Sequence, residues 1–188
     1  DFSNPDSLDG LIEYGLTTGC GIVFATTGYS SEQIAKIKKA TEQIPVFFTF
    51  NMSLGINLLV ELSKKAAALL GGQFDIEIVE KHHNQKIDAP SGTAIMLADA
   101  INEVLDNSNQ YTYDRHSQRK KREKNEIGIH SVRGGTIVGD HEVIFAGRDE
   151  VITLSHHASS KEVFAVGSVN AAVFISGKKS GLYDMSQL

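Results

Sequence analysis

One short segment constrains this chain more than any other: residues 77–94, with the sequence EIVEKHHNQKIDAPSGTA. Residues 74–78, which lead into it, alternate apolar and polar side chains, and this is the period of a half-buried strand. Beyond Thr93, apolar residues recur at helical spacing, at Ile95, Ala98, Ile101, Val104 and Leu105. The pattern therefore predicts a strand, a loop and the start of a helix.

The junction between this loop and the helix has the chemistry of an anion-binding site. Ser91 or Thr93 can cap the helix, because either hydroxyl can accept a hydrogen bond from a backbone N–H of the first turn. Gly92 lets a ligand approach the backbone closely, at the positive end of the helix dipole. Lys86 adds a full positive charge. The predicted ligand is a small anion with a carboxylate or phosphate group.

Two adjacent histidines in the loop supply proton-transfer chemistry. An unperturbed imidazole titrates at about pH 6.5, so it can exchange a proton near neutrality. One of His82 and His83 can act as a general acid while the other holds the ligand. A metal-dependent hydrolase is a competing interpretation. However, the seven histidines and one cysteine lack the H-x-x-x-H or C-x-x-C spacing of metal ligands, so we predict no metal.

The same segment, written E-I-V-E-x-H-H-x-x-K-x-D-A-P-S-G-T-A, resembles the signature of the dihydrodipicolinate reductase family. The resemblance is long and extends over most of the chain. Further segments similar to the family, in family order, are DFSNP (1–5), ATTG (25–28), FNMS (50–53), HSVRGG (130–135), IVGDH (137–141) and SGKKSGLYDM (176–185).

The resemblance implies a role for each residue of the opening segment that matches the family motif. By this resemblance His82 is the proton donor, and Lys86 assists it or shares that role. The substrate's two carboxylates are held by His83, Lys86, Gly92 and Thr93.

The resemblance also implies a nicotinamide cofactor, NADH or NADPH, with the preference left open by the residues present. Its contacts are expected at two segments, which are Ala25, Thr26 and Thr27, and Thr49, Phe50, Asn51 and Met52. The implied reaction reduces 4-hydroxy-tetrahydrodipicolinate or dihydrodipicolinate to tetrahydrodipicolinate, in the diaminopimelate route to lysine. Hydride goes from NAD(P)H to the conjugated ring of the dicarboxylate, and a proton from His82 goes to the adjacent carbon.

The first residues depart from the family pattern, in which a strand, a G-x-x-G-x-x-G-type turn and a helix cradle the cofactor pyrophosphate. No such turn follows a predicted strand here, and Gly19-Cys20-Gly21 precedes a strand instead. We therefore expect a truncated or naturally shortened family member. The alternative function is a catalytically weak or inactive dicarboxylate-binding, oligomeric module.

Alternating helices and strands are predicted over the first fifty residues. The helices span 6–14 and 31–42, the second with a capping box of Ser30 and Gln33, and the strands span 21–25 and 45–50. This βα repetition predicts a parallel sheet covered on both faces. Together with the C-terminal tail, it gives a partial Rossmann-like, dinucleotide-binding domain over residues 1–53 and 164–188.

Residues 54–163 are predicted to form an α+β domain for substrate binding and tetramerisation. Predicted helices span 54–70 and 94–105, and predicted strands span 74–79, 127–133, 136–145 and 151–158. A capping box of Ser159 and Glu162 then opens a final predicted helix that runs to about residue 176. Gly134-Gly135 predicts a tight hairpin between the second and third of these strands. We expect a mixed or antiparallel sheet with helices on one face. The resemblance implies a homotetramer that covers the other face, since alternating Ile, Val and Phe there would need a cover.

Composition excludes several other classes of protein. A hydrophobic content of 41% and a charged content of 22% are typical of a soluble globular chain, and no apolar run is long enough to span a membrane. The net charge of −5 argues against nucleic-acid binding; the basic run at residues 115–124 is instead a solvated loop or steers an anionic ligand. Cys20 has no disulfide partner and is predicted to be a buried small residue, which favours a cytoplasmic location.

Overall fold

The computed structural model describes all residues, 1–188, and divides into two compact units, residues 1–54 with 162–188 and residues 55–161. In chain order the elements are α1 (Leu8–Thr18), β1 (Ile22–Phe24), α2 (Ser31–Ala40), β2 (Pro45–Phe48), α3 (Leu54–Leu70), β3 (Asp75–His82), α4 (Gly92–Val104), β4 (Gln110–Thr112), β5 (Glu126–Arg133), β6 (Gly139–Ala146), β7 (Val151–Ala158), α5 (Glu162–Ile175) and β8 (Gly181–Tyr183). Short 3₁₀ turns precede α1 and follow β8.

The first unit is a three-stranded parallel sheet in the order β1-β2-β8. Side chains of β2 alternate between two apolar clusters, because successive residues of a strand point to opposite faces. Val46 packs with residues of α1 and α2, whereas Phe47 packs with residues of α5. The prediction of a parallel sheet covered on both faces is therefore confirmed, as is the capping box of Ser30 and Gln33.

The second unit is a five-stranded mixed sheet in the order β4-β5-β3-β6-β7, with α3 and α4 against one face. Its core consists of alternate strand residues that pack under the helices, among them Ile76, Ile78, Ile127, Ile129, Val143 and Phe145. The predicted bounds of α3 and β7 match the structure, and β4 was not predicted. The mixed sheet with helices on one face is confirmed.

The predicted hairpin at Gly134-Gly135 is wrong. Strand β3 lies between β5 and β6, parallel to the first and antiparallel to the second, so β5 and β6 are not neighbours. The glycines instead carry the chain across the end of β3, where Gly134 N donates to His82 O (2.9 Å) and Asn84 N donates to Gly135 O (3.2 Å). The hairpin of this sheet joins β6 to β7, where Gly147 N donates to Glu150 O.

The outer face of the mixed sheet is also more polar than the sequence pattern suggested. Because Ile, Val and Phe at alternate positions face the helices, the outer face of β3 carries Glu77, Val79 and Lys81. Lys81 pairs there with Glu142 on β6. Exposed apolar side chains of this sheet include Val132 and Val151.

The expectation for Cys20 is wrong, whereas the basic run at residues 115–124 is an exposed loop as expected. Cys20 is exposed rather than buried, because it lies in the turn between α1 and β1 and not in the strand. Within the basic run, Arg115 and Arg122 both bind Glu77, and Lys120 binds Glu123, so these three cations hold the loop to nearby carboxylates. No helix is long and apolar enough to cross a membrane.

Candidate functional site

The C-terminal end of β3 brings a carboxylate and an imidazole onto the core face of the mixed sheet. With a period of two, Ile76, Ile78, Glu80 and His82 all point to this face, and all four are buried. His82 is thus the last residue of the strand, not a loop residue as predicted from the sequence. Its backbone is held on the β5 side, where it pairs with Arg133 and its carbonyl accepts from Gly134 N.

The strands beside β3 complete the same face of the sheet. His141 on β6 lies directly opposite Glu80, and Arg133 on β5 lies directly opposite His82. His141 is 4% exposed, and Glu80 has no exposed surface. Two charged side chains, Glu80 and Arg133, and two imidazole rings therefore share a region of the sheet that is otherwise apolar.

Glu80 is the centre of this arrangement. Arg133 donates from Nη1 to Oε2 and from Nη2 to Oε1, each at 2.7 Å, and Ser91 N donates to Oε1 at 3.1 Å. The Nδ1 atom of His82 lies 2.6 Å from Oε2. Burial alone would raise the pKa of Glu80, but hydrogen bonds from Arg133, His82, Ser131 and Ser91 outweigh it and lower the pKa to about 2. Glu80 is therefore a carboxylate, and the Nδ1–H group of His82 donates a hydrogen bond to it.

The other nitrogen of His82 faces β6. A Cβ atom placed on Gly139 would lie 3.1 Å from His82 Nε2, so a glycine keeps this side of the ring clear. The ring of His141 packs edge-on against His82, with the centroids 5.2 Å apart.

His141 is a neutral imidazole in this environment. Its burial, and next the charge of His82, lower the pKa of His141 to about 4. Its Nε2 atom lies 3.1 Å from Ser91 Oγ, while its Nδ1 atom is buried with no hydrogen-bond partner. His141 therefore connects the sheet to the start of α4.

Helix α4 begins at Gly92, and Ser91 is its N-cap. Of the two predicted capping residues, Ser91 and Thr93, the structure therefore selects Ser91. Ser91 Oγ accepts from Ala94 N at 3.2 Å, and Ser91 O accepts from Ile95 N. Gly92 is exposed, and no atom would lie within 4 Å of a side chain there. The helix start thus presents open backbone to a ligand, as the predicted anion site requires.

The loop between β3 and α4 carries the two remaining substrate-binding candidates. His83 is half-buried, and its backbone O accepts from Lys86 N. Lys86 Nζ lies 2.8 Å from Asp88 Oδ1, and this hydrogen bond is the main reason that the pKa of Asp88 is lowered. Arg133 Nη2 also donates to Asp88 O at 2.7 Å, so the same guanidinium holds both Glu80 and the loop.

In the first unit, the predicted cofactor residues follow two neighbouring parallel strands. Ala25, Thr26 and Thr27 come directly after β1, while Thr49, Phe50, Asn51 and Met52 come directly after β2. Since the carboxyl ends of parallel strands meet at one edge, both segments lie together, and Thr49 N donates to Phe24 O. This edge is the usual position of ligands in open α/β sheets.

Hydrogen bonds and packing hold the second segment, residues 49–52, in place, and only the side chain of Phe50 is exposed. Thr49 Oγ1 donates to Asn51 O, and Asn51 Oδ1 accepts from Ser53 N. Met52 is buried beside α5, where a Cβ on Gly167 would lie only 1.8 Å from Met52 O. Phe50, in contrast, is 51% exposed and lies edge-on to Phe48. A rigid backbone with one exposed aromatic ring suits contact with a flat heterocycle.

Sequence reasoning missed Glu80, Arg133, Gly139 and His141. Two of them, Glu80 and His141, carried a detectable signal. The spacing Ile76, Ile78, Glu80, His82 places a carboxylate on the same face of the strand as His82. His141 has the same relation to Val143 and Phe145. Arg133 and Gly139 depend on which strands are neighbours, and the mistaken hairpin hid that.

Together, a parallel sheet with polar segments at its carboxyl edge and an imidazole–carboxylate site at a helix start define a class: a two-unit α/β enzyme for small anions. Comparison with known proteins gives the family. The model described as "Dihydrodipicolinate reductase, N-terminus" matches residues 1–52, and "Dihydrodipicolinate reductase, C-terminus" matches residues 55–188.

Individual relatives agree with these two matches. A 4-hydroxy-tetrahydrodipicolinate reductase of Caldanaerobacter subterraneus subsp. tengcongensis is 54% identical over 188 residues, which are 100% of this chain and 74% of the relative. One from Clostridium novyi is 50% identical with the same coverage. The solved "Dipicolinate bound Dihydrodipicolinate reductase from Paenisporosarcina sp. TG-14" has a TM-score of 0.79 and 27% identity, over 100% of this chain and 72% of that one.

This chain belongs to the dihydrodipicolinate reductase family. The family consists of NAD(P)H-dependent oxidoreductases of lysine biosynthesis. The resemblance identified from the sequence is confirmed, and the chain spans about three-quarters of the length of its relatives, as the 74% coverage shows. A reductase is thereby favoured over the alternative of an inactive binding module.

Proposed function

We propose that this chain reduces 4-hydroxy-tetrahydrodipicolinate or dihydrodipicolinate to tetrahydrodipicolinate, with His82 as the proton donor. One observation carries the proposal: a single buried carboxylate, Glu80, binds both His82 Nδ1 and the backbone N–H of Ser91 at the start of α4. The proton donor and the anion-binding helix start are therefore fixed relative to each other. A dicarboxylate held at the helix start has an acid in a defined position.

The substrate's carboxylates are proposed to bind His83, Lys86, Gly92 and Thr93. Support comes from the exposed backbone at Gly92 and from the positive end of the α4 dipole. Lys86 now pairs with Asp88, whose side chain is 54% exposed, so a substrate carboxylate can compete for the ammonium at little cost. We assign Lys86 the role of binding a carboxylate and of supporting the acid step.

The residues of the first unit fit the nicotinamide end of a cofactor. Ala25 and Thr26 are buried, while Thr27 and Phe50 are exposed at the carboxyl edge of a parallel sheet. We propose that these residues, with Thr49, Asn51 and Met52, hold the cofactor there. When bound, NADH or NADPH supplies the hydride. The protein's part is to position that ring and to deliver the proton from His82.

We further propose the roles of the two units and the state of the protein in solution. The first unit is the dinucleotide-binding domain, and the second binds substrate and joins copies of the chain into a homotetramer through the outer face of its sheet. A cytoplasmic location accords with the single, exposed Cys20, which a reducing compartment would keep as a thiol. Light scattering on the purified protein gives the number of copies directly.

Calorimetry tests the binding half of this proposal. We expect pyridine-2,6-dicarboxylate, NADH and NADPH each to bind the 188-residue chain. Pyridine-2,6-dicarboxylate is dipicolinate, the compound bound in the solved relative. Like the proposed substrate, it has two carboxylates. Binding of the dicarboxylate without either nucleotide would favour the inactive module instead.

Enzyme assays test the catalytic half. His82→Gln is expected to lower kcat by about 10²–10⁴-fold, the usual contribution of a general acid. Lys86→Ala is expected to raise KM and to lower kcat. Matched controls are His157→Gln and Lys64→Ala, both outside the site. Wild-type kinetics in the first two variants would contradict the assigned roles.

A further inference from the structure

Glu80 has no assigned part in the reaction described above, yet it is the most completely buried charge in the second unit. Its side chain is 0% exposed, and its two oxygens accept hydrogen bonds from both terminal nitrogens of Arg133, from Ser91 and from His82. Burying an ionised carboxylate is costly unless it is fully paired. Apolar residues in place of Glu80 and Arg133 would avoid that cost. Stability therefore does not explain why a charge is buried here.

The reason lies in what the carboxylate imposes on the imidazole beside it. Neutral histidine has two tautomers, and the nitrogen that donates is set by its partner. The lone pairs of Glu80 Oε2 can only accept, so His82 Nδ1 keeps its proton. The Nε2 atom is thereby the one that gains and loses a proton, and it faces the side that Gly139 keeps clear.

The remaining contacts prevent Glu80 from turning away or changing state. Arg133 engages both oxygens in the bidentate geometry that fixes the plane of a carboxylate. Ser91 N holds Oε1, which leaves Oε2 directed at His82. On the other side of the imidazole, the edge-on ring of His141 limits how far His82 can tilt.

We propose that Glu80, held by Arg133, is a positioning residue that keeps His82 in the Nδ1-protonated tautomer, so that Nε2 is the atom that protonates the substrate. The inference rests on the proposed function. The proton donor is the imidazolium form of His82, which carries a proton on both nitrogens. Its Nε2–H bond breaks, the electron pair stays on nitrogen, and the ring is left neutral with its proton on Nδ1. A C–H bond forms with the electron pair of the substrate carbon, and a proton from solvent later restores the imidazolium.

The Glu80→Gln variant separates this role from a merely structural one. Ser91 N and Arg133 Nη2 both need an oxygen at the Oε1 position, so the amide nitrogen of the glutamine takes the Oε2 position, against His82. There it donates to Nδ1, at the expense of the Arg133 Nη1 bond. The ring must then carry its proton on Nε2, which is the opposite tautomer.

The measurement is nuclear magnetic resonance of imidazole ¹⁵N at alkaline pH, with the His82 signals assigned from a His82→Gln sample. We expect the wild-type protein to show a protonated Nδ1 and a bare Nε2. In Glu80→Gln the two should exchange, and kcat should fall by about 10²–10⁴-fold at similar KM for substrate. The matched control is Glu142→Gln, on the next strand, which should change neither tautomer nor kcat.

Two results would overturn the inference. The first is a neutral His82 that carries its proton on Nε2 in the wild-type protein. This result needs no variant, so it would overturn the inference even if Glu80→Gln failed to fold. An unchanged tautomer in Glu80→Gln would reduce Glu80 to a structural ion pair. Failure of the proposed function can be distinguished from failure of this inference. It would appear as a wild-type kcat in His82→Gln, whereas the tautomer measurement reports on Glu80 alone.

Discussion

Arg133 on β5 binds both oxygens of Glu80 on the neighbouring strand β3 at 2.7 Å. Strand β6 lies on the other side of β3. The same guanidinium donates to Asp88 O in the loop that leads to α4. One side chain thus connects strand β5, the carboxylate beside His82 and the loop with Lys86. The site is therefore a property of strand order, and its integrity depends on this ion pair.

Loss of Arg133 should be costly for stability. In Arg133→Met the carboxylate of Glu80 is left buried without its cation, and removal of one partner of a buried pair costs roughly 3–5 kcal/mol. Urea unfolding measures the loss. The control, Lys36→Met, removes a cation from a surface pair with Asp9 and should cost at most about 1 kcal/mol. Equal losses in the two variants would mean that the Glu80–Arg133 pair is not effectively buried.

His141 should make the stability fall as the pH drops. Its pKa is about 4 in the folded protein and 6.5 as a reference for the unfolded chain, so the unfolded chain binds the proton more readily. The stabilisation from neutral His141 is complete above pH 6.5 and declines by about 3 kcal/mol as the pH falls to about 4. His141→Gln cannot take up a proton and should lose this part of the pH dependence.

Urea unfolding of both proteins across this range provides the test. The difference in unfolding free energy between wild type and His141→Gln should shrink as the pH falls. His116→Gln, in an exposed loop, should follow the wild-type curve. A difference that stays constant with pH would show that His141 takes up its proton equally in the folded and unfolded chain.

Gly139 should be intolerant of a side chain for a catalytic reason. A Cβ there lies 3.1 Å from His82 Nε2, and the imidazole must shift by a few tenths of an ångström. We expect Gly139→Ala to lower kcat by up to about 100-fold, since misplacement of a reacting group by about 1 Å has that effect. Steady-state kinetics and a crystal structure of the variant provide the measurement. A wild-type kcat with a displaced ring would refute the argument.

Gly167 should be intolerant for a packing reason. An added Cβ would lie 1.8 Å from Met52 O, so α5 or the segment after β2 must move. We expect Gly167→Ala to lower the unfolding free energy by roughly 1–3 kcal/mol, as overpacking does, and to weaken NADH binding. Gly10→Ala, in α1 with no atom within 4 Å of the new methyl group, should instead add about 0.5–1 kcal/mol. Thermal unfolding and calorimetry compare the two variants.

Local patterns sufficed for much of the fold and for the chemistry of the site. Apolar spacing gave α3 with its observed bounds, Ser30 and Gln33 marked the start of α2, and Ser91 or Thr93 marked the start of α4 to within two residues. These features depend on residues within four positions of one another, so they can be seen in the chain itself. The family motif then added the roles proposed for His82 and Lys86.

Strand order could not be obtained in this way. Gly134-Gly135 permits a hairpin, and only the pairing of β3 with both β5 and β6 shows that the chain crosses over the strand end instead. That pairing is decided by which apolar faces can be buried together under α3 and α4, a sum over residues far apart in sequence. The exposure of Cys20 likewise depends on where β1 begins.

The sequence by itself therefore determined the types of element, the family and the presence of two histidines close to the start of a helix. Tertiary structure alone decided that Glu80, Arg133, Gly139 and His141 surround His82. The physical reason is that hydrogen bonds within a turn or a cap are local, whereas burial of a charge needs partners from several strands. Only the folded sheet brings such partners within hydrogen-bonding distance of one carboxylate.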